Sequence, residues 1–469
     1  MRIDLLKLRN FRRFVEAEYS FSRRIDAPTG NGSFHVIIGA NGSGKTTILE
    51  ALAVAAGGWF QGVRGDDVRH LRKDDVRVQL HRYGQEVREE RQYPIRVEAT
   101  GSAASEPVRW AREFRGEGKR TNTKETRALQ EIAHRRGLKV MDGHDLELPL
   151  ISYYGTGRLW QEPRTREEKR LIKKETGKAI GEIKKESLPN YSAQFASRLA
   201  GYRYSVDPRC SPSDLIDWLH FEALSEAQSR AESEQAKIVK LAISRSFEGC
   251  GAVEFNLRYG KLLLDVKSRG LQPFSQLSDG QRNLVAMIGD IAWKAAQLNP
   301  HLGNKVLEKT PGIVLIDELD LHLHPEWQRQ VVETLRELFP QIQFITTTHS
   351  PFVVQAVREG EVLVLEGQSV PQTENLGVET ISRGLMNVTR PEVAPRYREM
   401  VDAAKGYLVT LEEAAKAPEE KLAEFEQRLA AGIEPFADNP AFQAFLELKH
   451  EVKLGGHAAG GNGAQGENK

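Results

Sequence analysis

The stretch GANGSGKT at residues 39–46 decides the fold, because it follows an apolar run and precedes a sequence typical of a helix. It fits the pattern G-x-x-x-x-G-K-[ST], in which glycines let backbone N–H groups turn inward around phosphate oxygens at a helix N-terminus. The run FHVII at residues 34–38 predicts a buried parallel strand, and residues 47–56 predict the helix that follows. The stretch therefore predicts a phosphate-binding loop (P-loop) in an α/β fold.

We expect this loop to bind ATP. Lys45 is expected to reach the β- and γ-phosphates, and the Thr46 hydroxyl is expected to bind Mg²⁺. The other nucleotide contacts predicted in the loop and the first helical turn are Asn41, Gly42, Ser43, Gly44 and Thr47. A chance match to the pattern is the alternative, and the placement of the strand and the helix argues against it.

Two carboxylates follow a second apolar run, IVLI at residues 313–316. Such a run predicts a strand buried on both faces, which presents Asp317 at its C-terminal end, where α/β sheets bind ligands. Asp317 is expected to hold Mg²⁺. Glu318 is expected to lie beside the γ-phosphate and to act as the general base that polarises the attacking water. The alternative is a strand that ends in two solvated acids.

Two more segments carry candidate site residues. LSDGQR at residues 277–282 precedes a predicted helix over residues 283–294 and contains Ser278, a favourable N-cap. A helix N-terminus beside a glycine can bind phosphate, although a simple capped helix is the alternative. TTTHSP at residues 346–351 ends another apolar strand, and its His349 is a candidate for contact with the γ-phosphate.

The order of these motifs resembles that of ABC-type ATPases. LSDGQ is similar to their signature LSGGQ, with Asp279 in place of the first glycine, and His349 resembles their switch histidine. This resemblance implies that His349 acts in catalysis and that Asp320 contacts a partner subunit. It also implies that each subunit completes the ATP site of its partner through the signature residues Ser278, Gly280 and Gln281.

The N-terminal sequence points to a particular group of ABC-type ATPases. IDLLKLRNFR at residues 3–12 resembles the first strand of SMC/RecF-type ATPases, which carry a basic residue near the nucleotide, and Arg12 or Arg13 is expected to take that role. Residues 153–158, with Gln161, fall where that group carries its Q-loop. We interpret His322 and His324 as structural residues, because no nearby cysteine, third histidine or spaced acid completes a metal site.

The chain is also similar to compact bacterial ATPases of the AAA_21 type, which include the ATPase subunits of Septu and retron-associated anti-phage systems. The LHLHP segment at residues 321–325 and the helical C-terminal sequence carry this similarity. It implies a homodimer or larger homo-oligomer that regulates a separately encoded HNH-type nuclease. The alternative is a RecF-like ATPase that binds DNA in repair and recombination. A subunit of a membrane transporter is disfavoured by the N-terminal strand and the long insert.

Composition excludes several other classes of protein. The 469 residues include 66 basic and 65 acidic side chains, so the net charge of +1 argues against a polybasic protein, although a Lys/Arg excess over residues 158–186 leaves nucleic-acid binding as a hypothesis. Two cysteines are too few for a disulfide framework or a four-cysteine zinc site. No apolar run approaches the ~20 residues of a membrane span, and no signal peptide is evident, so we expect a cytoplasmic protein without membrane contact.

The predicted fold is an α/β, ABC-type P-loop ATPase core, a mixed sheet flanked by helices, with a helical insert and a helical C-terminal extension. Residues 1–156 are expected to form a first ATPase lobe with the P-loop and antiparallel strands. Residues 251–390 are expected to form a second lobe with the signature, the acidic pair and the switch histidine. The remaining predicted segments are the helical insert at residues 157–250, the helical extension at 391–454 and a disordered tail at 455–469.

Overall fold

The computed structural model divides the chain into two units, residues 1–387 and residues 388–469. The structure describes residues 1–21, 32–63, 68–83, 85–117, 119, 121–158, 197–208, 212–267, 269–365, 377–384, 395–414, 427–428 and 446.

Strands and helices alternate through the first unit. Its strands are β1 (Arg2–Phe11), β2 (Phe14–Ser20), β3 (Ser33–Ile38), β4 (Arg77–Tyr83), β5 (Glu86–Gln92), β6 (Ile95–Ala103), β7 (Glu106–Phe114), β8 (Leu150–Tyr154), β9 (Cys250–Asn256), β10 (Lys261–Val266), β11 (Gly270–Pro273), β12 (Gly312–Ile316), β13 (Ile342–Thr347) and β14 (Val362–Val364). Its helices are α1 (Lys45–Ala56), α2 (Phe60–Val63), α3 (Arg127–Met141), α4 (Ser213–Ser229), α5 (Glu234–Ser244), α6 (Asp279–Leu298), α7 (Val306–Lys309), α8 (Pro325–Leu338), α9 (Pro351–Gln355) and α10 (Val378–Gly384).

A five-stranded parallel sheet forms the base of the candidate site, in the order β14-β3-β13-β12-β8. Almost every residue of β3, β8, β12 and β13 is buried, which explains why these strands are rich in apolar residues. The predicted α/β core is therefore confirmed. Its parallel and antiparallel strands form separate sheets, rather than one mixed sheet.

The antiparallel strands β2-β1-β6-β7 form a second sheet, and the side chain of Gln343 in β13 contacts its strand β1. Gln343 is fully buried. Its Oε1 accepts a hydrogen bond from the Ile3 N–H (2.9 Å), and its Nε2 donates to the Ile3 carbonyl (2.8 Å). The pairing of β1 with β6 shifts register between Ile3 and Leu5, next to this contact.

Helix α1, which follows the P-loop, is buried over most of its length because it packs against strands of both sheets. Two side chains of β7 bond to carbonyls in its last turn. Trp110 Nε1 donates to the Ala55 carbonyl (2.9 Å), and Arg112 donates to the Val54 carbonyl (2.8 Å). These contacts satisfy acceptors that the end of a helix leaves open.

Helices α4 and α5 lie within the helical insert predicted at residues 157–250, and both pack against α6. Gly289 of α6 allows this packing, because a Cβ there would lie 2.6 Å from Leu215 of α4. Helix α6 is joined to β8 by a hydrogen bond from Tyr154 Oη of β8 to the buried Asp290 carboxylate of α6 (2.6 Å). The same carboxylate forms an ion pair with Lys294, one turn further along α6 (2.8 Å). The middle of α6 is therefore anchored to the sheet that carries the candidate site.

The second unit contains α11 (Pro395–Ala414), in which Tyr407 and Leu411 pack with Leu446. Three parts of the sequence lie largely or wholly outside the described residues: most of the rest of the predicted helical extension, the predicted tail at residues 455–469 and most of the basic stretch at 158–186. Within the part of the chain that is described, the helices lack the combined length and apolar character that a bilayer crossing requires.

Replacing Gln343 by leucine is expected to lower the free energy of unfolding by about 2 kcal/mol, because two buried hydrogen bonds to Ile3 are lost while most of the side-chain volume is kept. Chemical denaturation of both proteins measures the difference. Gln330→Leu is the control: its side chain is exposed, and we expect a change within about 0.5 kcal/mol. Equal effects of the two substitutions would contradict the joining role of Gln343.

Candidate active site

A cavity of about 460 Å³ lies where β3, β12 and β13 end at one edge of the parallel sheet. Three segments that are distant in sequence meet there with the turn after β1. The lining residues are Arg12, Arg13, Asn41, Gly42, Gly44, Lys45, Thr46, Thr47, Asp317, Glu318, Thr347 and His349. The structure thus brings together most of the residues that the sequence singled out.

The P-loop backbone has the conformation that its glycines predict. Gly42 has a φ of 78° and Gly44 a φ of 103°, both in the left-handed region that favours glycine. A Cβ at Gly44 would also lie 2.6 Å from the ring of Phe14. The hydroxyl of Ser43 is buried and has no hydrogen-bond partner among the described residues. A loop of this shape, with an unpartnered donor inside it, fits a phosphate group.

The Lys45 side chain folds back onto its own loop. Its Nζ donates to the carbonyls of Gly39 (2.8 Å) and Ala40 (3.1 Å). Burial lowers the pKa of Lys45, and the nearby carboxylates of Asp317, Glu318 and Asp320 partly oppose this shift. The ammonium group is therefore partly removed from water and is held beside the acidic pair.

Two threonine hydroxyls orient Asp317. Thr46 Oγ1 donates to Asp317 Oδ2 (2.9 Å), and Thr347 Oγ1 donates to Asp317 Oδ1 (2.6 Å). Hydroxyl and carboxylate oxygens are the ligands that Mg²⁺ prefers, so Thr46 and Asp317 fit a magnesium ion. Thr347 was not predicted as a site residue, and the only signal in the sequence is its position in the threonine run before His349.

The backbone at Glu318 is strained and is held by hydrogen bonds. Its φ of 48° lies in the left-handed region, where a residue with a side chain costs roughly 1–2 kcal/mol. Its N–H donates to Thr347 Oγ1 (2.8 Å). Its carbonyl accepts from Arg158 (3.0 Å) and from the Leu321 N–H (3.0 Å). This conformation lets the Glu318 side chain line the cavity.

The two candidate arginines differ in their surroundings, although both line the cavity. Arg12 donates to the buried carboxylate of Asp75 (3.1 Å) and also contacts Glu50. Arg13 donates to the Gly42 carbonyl and lies 5.9 Å above the centre of the Phe14 ring. Arg12 is thus bound by two acids, whereas Arg13 contacts the P-loop. Phe14, which covers Gly44, is a further contact that the sequence did not reveal.

The signature residues Ser278, Gly280 and Gln281 do not line this cavity. They begin α6, where the Ser278 hydroxyl accepts from the Gln281 N–H (3.4 Å) and donates to Gln281 Oε1 (3.2 Å). Ser278 is exposed, whereas Gly280 is buried against the loop after β12. A Cβ at Gly280 would lie 2.4 Å from the His322 carbonyl oxygen.

The loop between β12 and α8 is tied to the end of β13. Asp320 Oδ1 accepts hydrogen bonds from the Thr348 hydroxyl and from the His349 N–H (3.3 Å). His324 caps α8, since its Nδ1 accepts from the Glu326 N–H (3.4 Å). His322 has a φ of 61° and an exposed side chain. Gln161, the candidate Q-loop residue, lies outside the described residues.

Two family models match this chain, and several known proteins are similar to it. A family described as an AAA domain matches residues 5–246, and a second AAA-domain family matches residues 158–355. "Retron Vc95 probable ATPase" of Vibrio cholerae is 25% identical over 397 residues, which cover 78% of this chain and 73% of that protein. "Septu protein PtuA" of Bacillus thuringiensis is 29% identical over 159 residues, or 32% of this chain and 39% of that protein. A solved structure of an SMC head bound to the C-terminal winged-helix domain of ScpA is 17% identical and covers 79% of this chain and 95% of that chain, with a TM-score of 0.41.

Proposed function

This chain belongs to the AAA-domain family and is an ATPase, and we propose that two copies of it enclose ATP and Mg²⁺ at the cavity after β3, β12 and β13. One observation carries the proposal: Lys45, Thr46, Asp317 and Glu318 converge in one cavity although the two pairs are about 270 residues apart. The chain supplies a phosphate loop, a magnesium-type ligand pair and a carboxylate at that point.

Each residue of the cavity has a proposed role. The P-loop residues from Asn41 to Thr47 and the Lys45 ammonium hold the phosphates, and Arg13 covers the loop. Thr46 and Asp317 are proposed to hold Mg²⁺. When it is bound, the positive charge of this ion would stabilise the negative charge that develops on the phosphate oxygens during hydrolysis. Glu318 orients the attacking water and accepts its proton. His349 lies at the same cavity and is proposed to contact the γ-phosphate.

The signature residues are proposed to act on a partner copy. Ser278, Gly280 and Gln281 begin a 20-residue helix but do not line the cavity of their own chain. A helix N-terminus carries partial positive charge and free N–H groups, which favour an anionic ligand. A second copy can therefore present this turn to the nucleotide, and ATP then acts as a contact between subunits.

The proposed cellular role is in anti-phage defence in the cytoplasm. Its support is the similarity to proteins named as a retron ATPase and as Septu PtuA. In this role the ATP-bound dimer regulates a separately encoded HNH-type nuclease, and ATP hydrolysis or release ends the dimer contact.

Replacing Glu318 by glutamine is expected to lower kcat roughly a hundredfold or more while ATP binding is kept, because only the proton acceptor is lost. Lys45→Ala is expected to weaken ATP binding itself, because a charged phosphate ligand is removed. Steady-state hydrolysis and ATP titration measure the two effects. The exposed Glu131→Gln is the control and is expected to match the wild type. Unchanged turnover in Glu318→Gln would show that the general base is misassigned.

A mixing experiment tests completion of the site by the partner. Lys45→Ala and Ser278→Arg are each expected to be inactive, but a mixed dimer contains one site with both an intact P-loop and an intact signature turn. Random pairing therefore restores about a quarter of the wild-type turnover. A mixture of Lys45→Ala and Glu318→Gln is the control and is expected to restore no turnover. Both substitutions change the P-loop side of the composite site, so every site in a mixed dimer carries one of them. If the first mixture also shows no recovery, the composite site is wrong.

Co-purification tests the proposed partner. The tagged chain is expressed together with its neighbouring genes and purified with and without ATP. We expect an HNH-type nuclease to be retained by the wild type and its retention to change with ATP, whereas Lys45→Ala should not respond to ATP. Absence of any nuclease under both conditions would contradict the defence role and would leave the ATPase assignment intact.

A further inference from the structure

Arg158 occupies a buried position beneath the acidic pair, in the turn that follows β8. Its side chain is 3% exposed. The guanidinium donates to the carbonyls of Asp317 (2.8 Å) and Glu318 (3.0 Å), and also to the carbonyl of Gly155 in its own turn (3.0 Å). One side chain therefore binds both peptide carbonyls of the acidic pair.

The same guanidinium reaches α6. Arg158 Nε donates to Asn283 Oδ1 (2.7 Å), and Asn283 lies two residues after Gln281, the last of the signature residues. The amide of Asn283 is also buried, and its Nδ2 donates to the Leu321 carbonyl in the loop after Glu318 (3.0 Å). Arg158 and Asn283 thus form a continuous hydrogen-bonded link between the acidic pair and the start of α6.

The identity of the side chain matters for this link. Arginine carries a rigid, planar fork of donors, which can serve several acceptors at fixed angles, whereas lysine carries one compact ammonium group. The link also stabilises a strained backbone conformation, because it includes the carbonyl of Glu318, whose φ is 48°. Loss of its hydrogen bonds would let the peptide relax and would move the carboxylate that lines the cavity.

We propose that Arg158 is a positioning residue of the ATPase, which joins the backbone of Glu318 to the signature helix so that the two move as one body. The proposal rests on the proposed function, in which Glu318 faces the nucleotide of its own chain and Ser278 faces that of the partner. A change at one ATP site is thereby transmitted inside the chain to the surface that completes the other. Asn283 is the second member of this link.

The substitution Arg158→Lys tests the proposed positioning role, and Arg198→Lys is its matched control. Arg198 also donates to three backbone carbonyls, those of Leu298, His144 and Leu146, which do not line the cavity. We expect Arg158→Lys to lower kcat roughly tenfold to a hundredfold with an ATP Kd within about twofold of wild type. Arg198→Lys should leave kcat unchanged below its own melting temperature. Unchanged kcat in a folded Arg158→Lys protein, or equal losses in both variants, would overturn the proposal.

A second measurement separates positioning from general support of the fold. If Arg158 acts through Glu318, Arg158→Lys should lower the residual single-turnover rate of a Glu318→Gln protein by less than about twofold. A loss as large as in the wild-type background would overturn the proposal. Asn283→Ala should leave ATP binding intact and weaken ATP-dependent dimerisation, and unchanged dimerisation would overturn the link to α6.

These results are distinguishable from failure of the proposed function. If the wild type hydrolyses ATP as a monomer, the two-copy mechanism and the link to a partner both fail, whereas the coupling of Arg158 to Glu318 is still measured within one chain. If the wild type dimerises with ATP and Arg158→Lys behaves as wild type, only the role of Arg158 fails.

Discussion

The candidate site depends on the register of three parallel strands. Thr347 of β13 pairs with Ile37 of β3, and Thr346 pairs with Ile316 of β12, so the three strands end at one level of the sheet. The residues that follow each strand meet there. A shift of β12 by one residue would reverse the direction of its side chains and remove Asp317 from Thr46. The backbone pairing of these buried strands therefore decides which side chains meet at the site.

Hydrogen bonds within the chain already fix the position of the acidic pair, Asp317 and Glu318. Asp317 is held from two sides by threonine hydroxyls, and Glu318 is held at both its N–H and its carbonyl. Groups that are fixed before a ligand binds do not have to be ordered at that moment, and this lowers the entropic cost of the bound state. These hydrogen bonds come from three segments, so the acidic pair is connected to α1, β13 and the turn after β8.

The sequence predicted those parts of the site that follow a local pattern. The P-loop, the acidic pair and His349 each come directly after an apolar strand, and the register brings them together as expected. The roles of Thr347 and Arg158 could not be predicted, because they depend on hydrogen bonds to Glu318 across 29 and 160 residues of chain. The separation into two sheets was missed for the same reason, since β1 pairs with β6 rather than with the strands next to the P-loop.

Two groups that are proposed to contact the nucleotide, Lys45 and Ser278, already have hydrogen-bond partners within a single chain. The Lys45 ammonium is bound to the carbonyls of its own loop, and the Ser278 hydroxyl is bound to Gln281. A ligand must therefore replace hydrogen bonds that these two groups already make. A small anion that contacts only one of the groups gains little binding free energy. In the proposed two-copy site, a triphosphate that contacts both surfaces gains from both in one binding event. The hydrogen bonds that each surface already makes would therefore favour ATP over inorganic phosphate at that site.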